Sequence, residues 1–222
     1  LVGSEMCIRD RIYVISRISG EGKDRRKVKG DYYLSEREEE DLRYLAEMNK
    51  PVILILNAGG PVELTDILEQ TDNIKGILNI SQLGQEGGDA LADVLLGKEV
   101  PGGKLTTTWA RRYEDYPASE EYGYLNGNLE KEKYKEGIYV GYRYFDSFDK
   151  KVMFPFGFGL SYTTFEMKCC SINMEESKIR AEVQVTNTGN EYAGKEVVQI
   201  YVTLPQTELE KEYKSCLLYT SP

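Results

Sequence analysis

Residues Val52-Ile53-Leu54-Ile55-Leu56 are apolar at every position. A strand with one wet face alternates apolar and polar residues, so a run without alternation suits a parallel strand covered on both faces. Its borders agree. Pro51 pushes Lys50 out of the helical region and ends whatever helix precedes it, and Asn57-Ala58-Gly59-Gly60-Pro61 is loop chemistry. Upstream, Ile12-Tyr13-Val14-Ile15 is a short strand-forming run. Ser35-Glu36-Arg37-Glu38 then reads as a capping box, with Ser35 as N-cap and Glu38 at N3. Leu42, Leu45, Ala46 and Met48 recur behind it at helical spacing. Downstream, residues 76–80 read as a strand. Gly84-Gln85-Glu86-Gly87-Gly88 opens a helix carrying Ala90, Leu91, Val94 and Leu95, Gly97 suits the position after its end, and Lys104 to Trp109 reads as a further strand. Strands alternating with helices imply the α/β class, a mostly parallel sheet sandwiched by helices.

The pattern changes after residue 110. Tyrosine and charge dominate residues 110–160, where loops ending in short extended pieces are expected, with Tyr142 and Tyr144 alternating on the wall of a packed seam. Arg180 to Thr186 and Val197 to Thr203 are strand-like, with turn chemistry in Asn187-Thr188-Gly189-Asn190. They read as the start of an all-β sandwich, truncated before its remaining strands. Both ends, residues 1–11 and 214–222, resemble translated sequencing-adapter sequence and are set aside. The expected organisation is thus an α/β domain over 12–165, with its Tyr-rich connecting segment, and a truncated β domain over 166–213.

The 222 residues carry a net charge of −9, which disfavours nucleic acid and anionic membrane as partners. The Val52–Leu56 run is far too short to cross a bilayer. The chain has no histidine, which removes Ser-His-Asp and Cys-His nucleophilic systems and His-ligated zinc. Acid–base chemistry must therefore rest on carboxylates, Lys, Tyr or Cys. The four cysteines, Cys7, Cys169, Cys170 and Cys216, show no zinc spacing and fit a reducing compartment. A cytoplasmic location is slightly favoured on that ground, although the compartment stays open because the true amino terminus is expected to be missing.

Ser19-Gly20-Glu21-Gly22-Lys23-Asp24-Arg25 follows a strand directly. Ligands of open α/β sheets bind at the carboxyl ends of strands, and flanking glycines permit close approach of a partner. Neighbouring Lys23, Arg25, Arg26 and Lys27 would lower a carboxylate pKa, whereas occlusion by substrate would raise it. Glu21 is therefore a candidate catalytic carboxylate, and an exposed charged turn is the competing reading. Gly84 to Gly88 lacks the Lys-Ser/Thr of a phosphate-binding loop, and tight turning before a helix explains it better. The Gly-Phe-Gly of Phe156-Gly157-Phe158-Gly159 is no dinucleotide fingerprint.

Six segments in order give this chain a resemblance to glycoside hydrolase family 3, the β-glucosidase and β-xylosidase family: residues 18–25, 84–95, 103–108, 139–146, 154–165 and 185–199. The resemblance covers roughly residues 12–213. It implies the α/β domain that follows a (β/α)₈ barrel in such enzymes, then the start of a fibronectin type III-like domain, an incomplete all-β sandwich of immunoglobulin or fibronectin III-like type. It also implies that the barrel, with its aspartate nucleophile, lies outside this sequence, as do the first strands of the α/β domain. In similar enzymes a glutamate in the Ser-Gly-Glu-Gly loop is the acid/base, which carries over to Glu21 alone. Val100-Pro101-Gly102-Gly103 departs from the Asn-Pro-Ser-Gly turn common at that place.

Retaining glycosidases need two carboxyl groups about 5–5.5 Å apart. Neither Asp24 nor Glu38 is assigned the second role merely for being present. The implied function is the carboxyl-terminal part of a retaining β-glycosidase acting on oligosaccharides or β-glycosides, without cofactor or metal. A non-catalytic carbohydrate-binding or adhesion module is the alternative. A nucleotide-binding domain would need the glycine fingerprint that is lacking.

Overall fold

The run at residues 52–56 does become the central strand of a parallel sheet. In a computed structural model the described residues are 11–18, 25–48, 50–122, 130–131, 133–176, 178–205 and 207–220. They fall into two compact units, one built from residues 1–87 and 110–134, the other from 88–109 and 135–222.

The first unit holds β1 (Arg11–Ser16), α1 (Glu36–Glu47), β2 (Val52–Asn57), α2 (Thr65–Gln70) and β3 (Ile74–Asn79), with strand order β1-β2-β3 and both pairings parallel. Val52, Leu54, Ile55 and Leu56 are buried, so β2 is covered on both faces. In β1 only one face is covered. Tyr13 donates its hydroxyl to Asp41 of α1 at 3.2 Å and Ile15 is buried, whereas Ile12 and Val14 on the opposite face are about half exposed. Burial and the contact with Asp41 push the Tyr13 phenol up to about 12.

Helix α1 starts as its sequence demands. Ser35 Oγ accepts from the Glu38 backbone N–H at 3.3 Å, and Glu38 Oε2 accepts from the Ser35 N–H at 2.8 Å. Leu42 is its buried residue. The Asn73 amide caps its last turn by donating to the Ala46 carbonyl at 2.6 Å. The short helix α2 has no side-chain cap and carries no amphipathic run long enough to be read from sequence.

The second unit contains α4 (Tyr142–Ser147), β5 (Val152–Phe154), β6 (Phe165–Glu175), β7 (Lys178–Asn187), β8 (Val198–Val202) and β9 (Ser215–Thr220). Strands β6 and β7 pair antiparallel, as do β8 and β9. Helix α3 (Gly87–Leu95) follows the Gly-rich turn and ends near Gly97, whose φ is +71°. A Cβ there would also come within 3.1 Å of the Tyr192 hydroxyl.

Two expectations need correction. Of the expected run Lys104–Trp109 only Trp109 is in a strand, the two-residue β4 (Trp109–Ala110). Leu105 makes isolated bonds, donating to Phe158 O and accepting from Gly157 N, both at 2.8 Å. Its partner segment turns at Gly157, φ +77°, so no ladder can extend. The second correction concerns Tyr142 and Tyr144, which lie on α4 rather than on an extended piece. Gly141, at φ 57°, turns the chain into this helix. Tyr142 stacks on Phe156 at 4.9 Å, while Tyr144 packs against Phe148 at 5.2 Å.

Strand β6 also escaped the sequence reading, and its reason is local. Its apolar residues sit at odd positions up to Cys169 and at even positions from Ile172. A β-bulge between Cys169 and Ser171 absorbs this change of parity, leaving Cys170 as the extra residue. Met167, Ile172, Met174 and Ile179 thereby share one exposed apolar face.

Two substitutions should separate core from surface. Leu54→Ala should lower stability by about 2–5 kcal/mol through cavity formation. Met174→Ser, at 81% exposure, should stay within about 0.5 kcal/mol. Urea midpoints read through amide exchange of β2 test this, and equal effects would mean that β2 is not the core.

Candidate active-site loop and its anchors

The Ser-Gly-Glu-Gly loop, residues 19–24 with Glu21, lies outside the described residues. What can be built is its frame. The loop leaves the carboxyl end of β1 at Arg17-Ile18, with Ile18 fully exposed, and returns at Arg25.

Arg17 is buried, at 7% exposure, and all five of its N–H donors are used. Nε donates to Asp31 O at 2.7 Å. Nη1 donates to Ser16 O at 2.9 Å and to Glu38 Oε1 at 2.8 Å. Nη2 donates to Tyr33 O at 3.2 Å and to Glu38 Oε2 at 2.7 Å. Such a planar, bidentate pair is beyond lysine. Arg25 holds the other shoulder. Its Nε donates to Asp31 Oδ1 at 3.0 Å, Nη2 reaches Asp31 O, and Nη1 reaches Pro61 O in the loop after β2. The Arg26 backbone N–H donates to Asp31 Oδ2 at 2.8 Å. Asp31 thus binds both shoulders, through its carbonyl and its carboxylate.

The neighbouring strand ends join the frame. The Arg17 N–H donates to Asn57 O at 2.9 Å, and Gln82, after β3, donates from Nε2 to Arg17 O at 3.4 Å. The carboxyl ends of all three parallel strands therefore meet at the base of the Glu21 loop, the position at which open α/β sheets take ligands.

Electrostatics sharpen the picture. Burial works to raise the Glu38 carboxyl, but hydrogen bonds from Arg17 and the Ser35 backbone outweigh it and hold Glu38 below the usual carboxylate range. At Asp31 burial is likewise outweighed, by the Arg26 N–H and the Arg25 guanidinium. Both stay ionised, as anchors rather than proton donors. Beside them Tyr32 and Tyr113 meet edge-on at 4.9 Å, and Lys27 lies 4.8 Å over the Tyr113 ring. Burial pushes the phenols of Tyr32, Tyr113 and Tyr116 upward, so none is a base near neutrality. Lys27 pairs with Glu114, which that contact lowers.

Sequence reasoning identified Glu38 only as a cap. It gave no hint of Arg17 or Asp31, because nothing in a one-dimensional pattern separates a buried arginine from a surface one. In the other Gly-rich loop Glu86 is exposed, and the Gly87 N–H closes a turn onto Gly84 O at 3.0 Å. A Cβ on Gly87 would meet the Leu83 side chain at 2.5 Å, which explains the glycine structurally. Among the described residues no group of three Cys, Asp or Glu side chains is placed to hold a metal.

Residues 7–142 match the Glycosyl hydrolase family 3 C-terminal domain. This chain belongs to glycosyl hydrolase family 3. It is 39% identical to β-glucosidase A of Butyrivibrio fibrisolvens over 91% of its own length and 29% of that protein's. The structure of β-glucosidase 3B from Thermotoga neapolitana, in complex with α-D-glucose, matches 96% of the chain and 30% of its own at a TM-score of 0.87 and 41% identity. A β-glucosidase from Paenibacillus barengoltzii matches 96% of the chain and 24% of its own at a TM-score of 0.90 and 36% identity. The chain therefore spans less than a third of the length of these family 3 relatives.

Breaking the anchor should be costly and pH-dependent. Glu38→Gln leaves the buried Arg17 guanidinium without its carboxylate, a loss of about 3–5 kcal/mol near pH 7. The folded pKa of Glu38 is depressed, so its contribution is fully present above the unfolded value of about 4.3 and is lost as pH falls through the lower folded value. The gap between native chain and variant should be constant from pH 7 to 5 and close below about pH 4. Urea titrations across that range measure it, and a gap that widens in acid would refute the assignment.

Proposed function

We propose that this chain is the part of a retaining β-glycosidase that contributes the general acid/base, with Glu21 in that role. The parent polypeptide would hydrolyse O-glycosidic bonds of β-glucoside or β-xyloside type. Its nucleophile would come from a barrel that this sequence does not include. On this reading residues 12–165 form the α/β domain and 166–213 a fibronectin type III-like domain. The observation that carries it is the double-clamped loop. Arg17 and Arg25, fixed by Glu38 and Asp31, hold both shoulders of a glycine-flanked glutamate at the carboxyl ends of a parallel sheet. Membership of a family whose relatives are named β-glucosidase supports the chemistry.

A retaining mechanism asks Glu21 for two acts. It first gives its proton to the departing glycosidic oxygen, and after the glycosyl-enzyme has formed it takes a proton from water. Both need a carboxyl group held steady while its charge changes, which a loop anchored by ion pairs at each end provides.

The isolated chain should show no turnover of aryl β-glucosides or β-xylosides, because half the carboxylate pair is elsewhere. Grafting residues 12–213 in place of their counterpart in β-glucosidase 3B of Thermotoga neapolitana should restore activity. In that graft Glu21→Ala should slow disaccharide hydrolysis by about 10²–10⁴-fold. Cleavage of dinitrophenyl glycosides, whose leaving group needs little protonation, should suffer far less in its first step. Azide should rescue turnover and give a glycosyl azide of retained configuration. Equal loss on both substrates without azide rescue would remove Glu21 from the role.

A further inference from the structure

Strand β6 carries two adjacent cysteines, Cys169 and Cys170, both exposed and neither in a disulfide. In a regular strand neighbouring side chains point to opposite faces, so two such thiols could not share a ligand. The bulge changes that. Cys169 pairs with Val183 and Ser171 with Glu182, which leaves Cys170 outside the ladder and released from its alternation. The sulfurs lie accordingly. Cys169 Sγ leans forward to the Ser171 carbonyl at 3.8 Å, and Cys170 Sγ leans back to the Lys168 carbonyl at 3.6 Å. Each thiol thus leans along the strand in the direction of its neighbour. A third soft donor stands in register with them. Met167 lies two residues before Cys169 on the same face, 44% exposed.

The donor set selects its ligand. Thiolate and thioether sulfur are soft donors that prefer Cu(I), zinc and iron–sulfur clusters to hard cations. Structural zinc and iron–sulfur clusters call for four protein ligands. Among the described residues no third Cys, Asp or Glu joins this pair in a metal-holding group. Monovalent copper remains, a d¹⁰ cation of low coordination number that two thiolates satisfy and a thioether can supplement. A direct disulfide is the poorer alternative. Adjacent Cα atoms are about 3.8 Å apart, below the roughly 4.4–6.8 Å span of a relaxed disulfide, whereas an interposed ion lengthens the bridge.

We propose that Cys169 and Cys170, with Met167 beside them, bind one monovalent copper ion as a bis-thiolate. Each thiol gives its proton to solvent as its sulfur–copper bond forms, so uptake releases protons and weakens in acid. The ion keeps its oxidation state throughout. The site is independent of Glu21 and of the glycosidase reading. The test is an anaerobic titration of the reduced full chain against Cu(I) held by the chromogenic chelator bicinchoninate, with backbone amide shifts and light scattering alongside. The chain should take one Cu(I) from the chelator without change in molecular mass and show shifts at Lys168, Cys169, Cys170 and Ser171. A Cys7→Ser/Cys216→Ser variant should bind as the native chain does. Cys169→Ser and Cys170→Ser should each weaken binding by more than about 100-fold, because even a group that only supports a metal ligand is worth about 10–100-fold. Met167→Leu should cost about tenfold, the low end of that range. Unmoved amides of β2 show that each variant keeps its fold. Zn(II) at equal concentration should leave the amides of β6 in place. Full affinity in Cys169→Ser, Cys170→Ser or Met167→Leu, a copper-dependent dimer, loss of binding in Cys7→Ser/Cys216→Ser, or zinc held in preference to copper would each overturn the proposal.

Discussion

A buried guanidinium is tolerable only when all its donors are used, and the first unit is arranged around one. Arg17 carries a charge that would cost several kcal/mol to bury unpaired. Its five donors end on three carbonyls and one carboxylate. Those carbonyls belong to Ser16, Asp31 and Tyr33, and the carboxylate is that of Glu38. One side chain thus fixes the end of β1, the segment returning from the Glu21 loop and the first turn of α1. Glu38 Oε2 accepts from the Ser35 N–H as well as from Arg17. The same oxygen closes the capping box and neutralises the guanidinium, so helix start and loop anchor are one structure.

This economy bears on catalysis. A carboxylic acid that must alternate between donor and acceptor cannot itself be locked in a salt bridge, because the bridge would hold it ionised. The arrangement separates the two needs. Asp31 and Glu38 are held ionised and anchor Arg25 and Arg17, while Glu21, between those two arginines in the sequence, is the group to which we propose to give proton transfer. The parallel sheet makes the separation possible, since its strands deliver their carboxyl ends, and so their loops, to one edge.

Sequence pattern revealed what depends on period and local chemistry. The unbroken run of β2, the capping box at Ser35 and the glycine after α3 each rest on residues within a few positions of one another, and each was found where expected. Elements shorter than two helical turns were lost. Neither α2 nor α4, at six residues each, holds enough positions to show a 3.6-residue period. Strand β6 failed for another reason, because its bulge inverts the alternation midway and a strict period of two finds only half of it. Of the candidate site, Glu21 was legible as a glycine-flanked carboxylate after a strand. Its anchors were not, because the partners of Arg17 and Arg25 are set by folding and lie up to 36 residues away.

Local charge pairing also sets how the frame of the loop responds to salt. At the loop shoulders Arg17 is matched by Glu38 and Arg25 by Asp31, although the chain as a whole carries a charge of −9. The excess negative charge of the chain therefore lies outside these two pairs. Screening by salt weakens fields acting across a Debye length of about 8–10 Å, but hardly touches paired groups that are partly buried. The Arg17–Glu38 and Arg25–Asp31 pairs therefore hold the frame of the loop across a wide range of ionic strength.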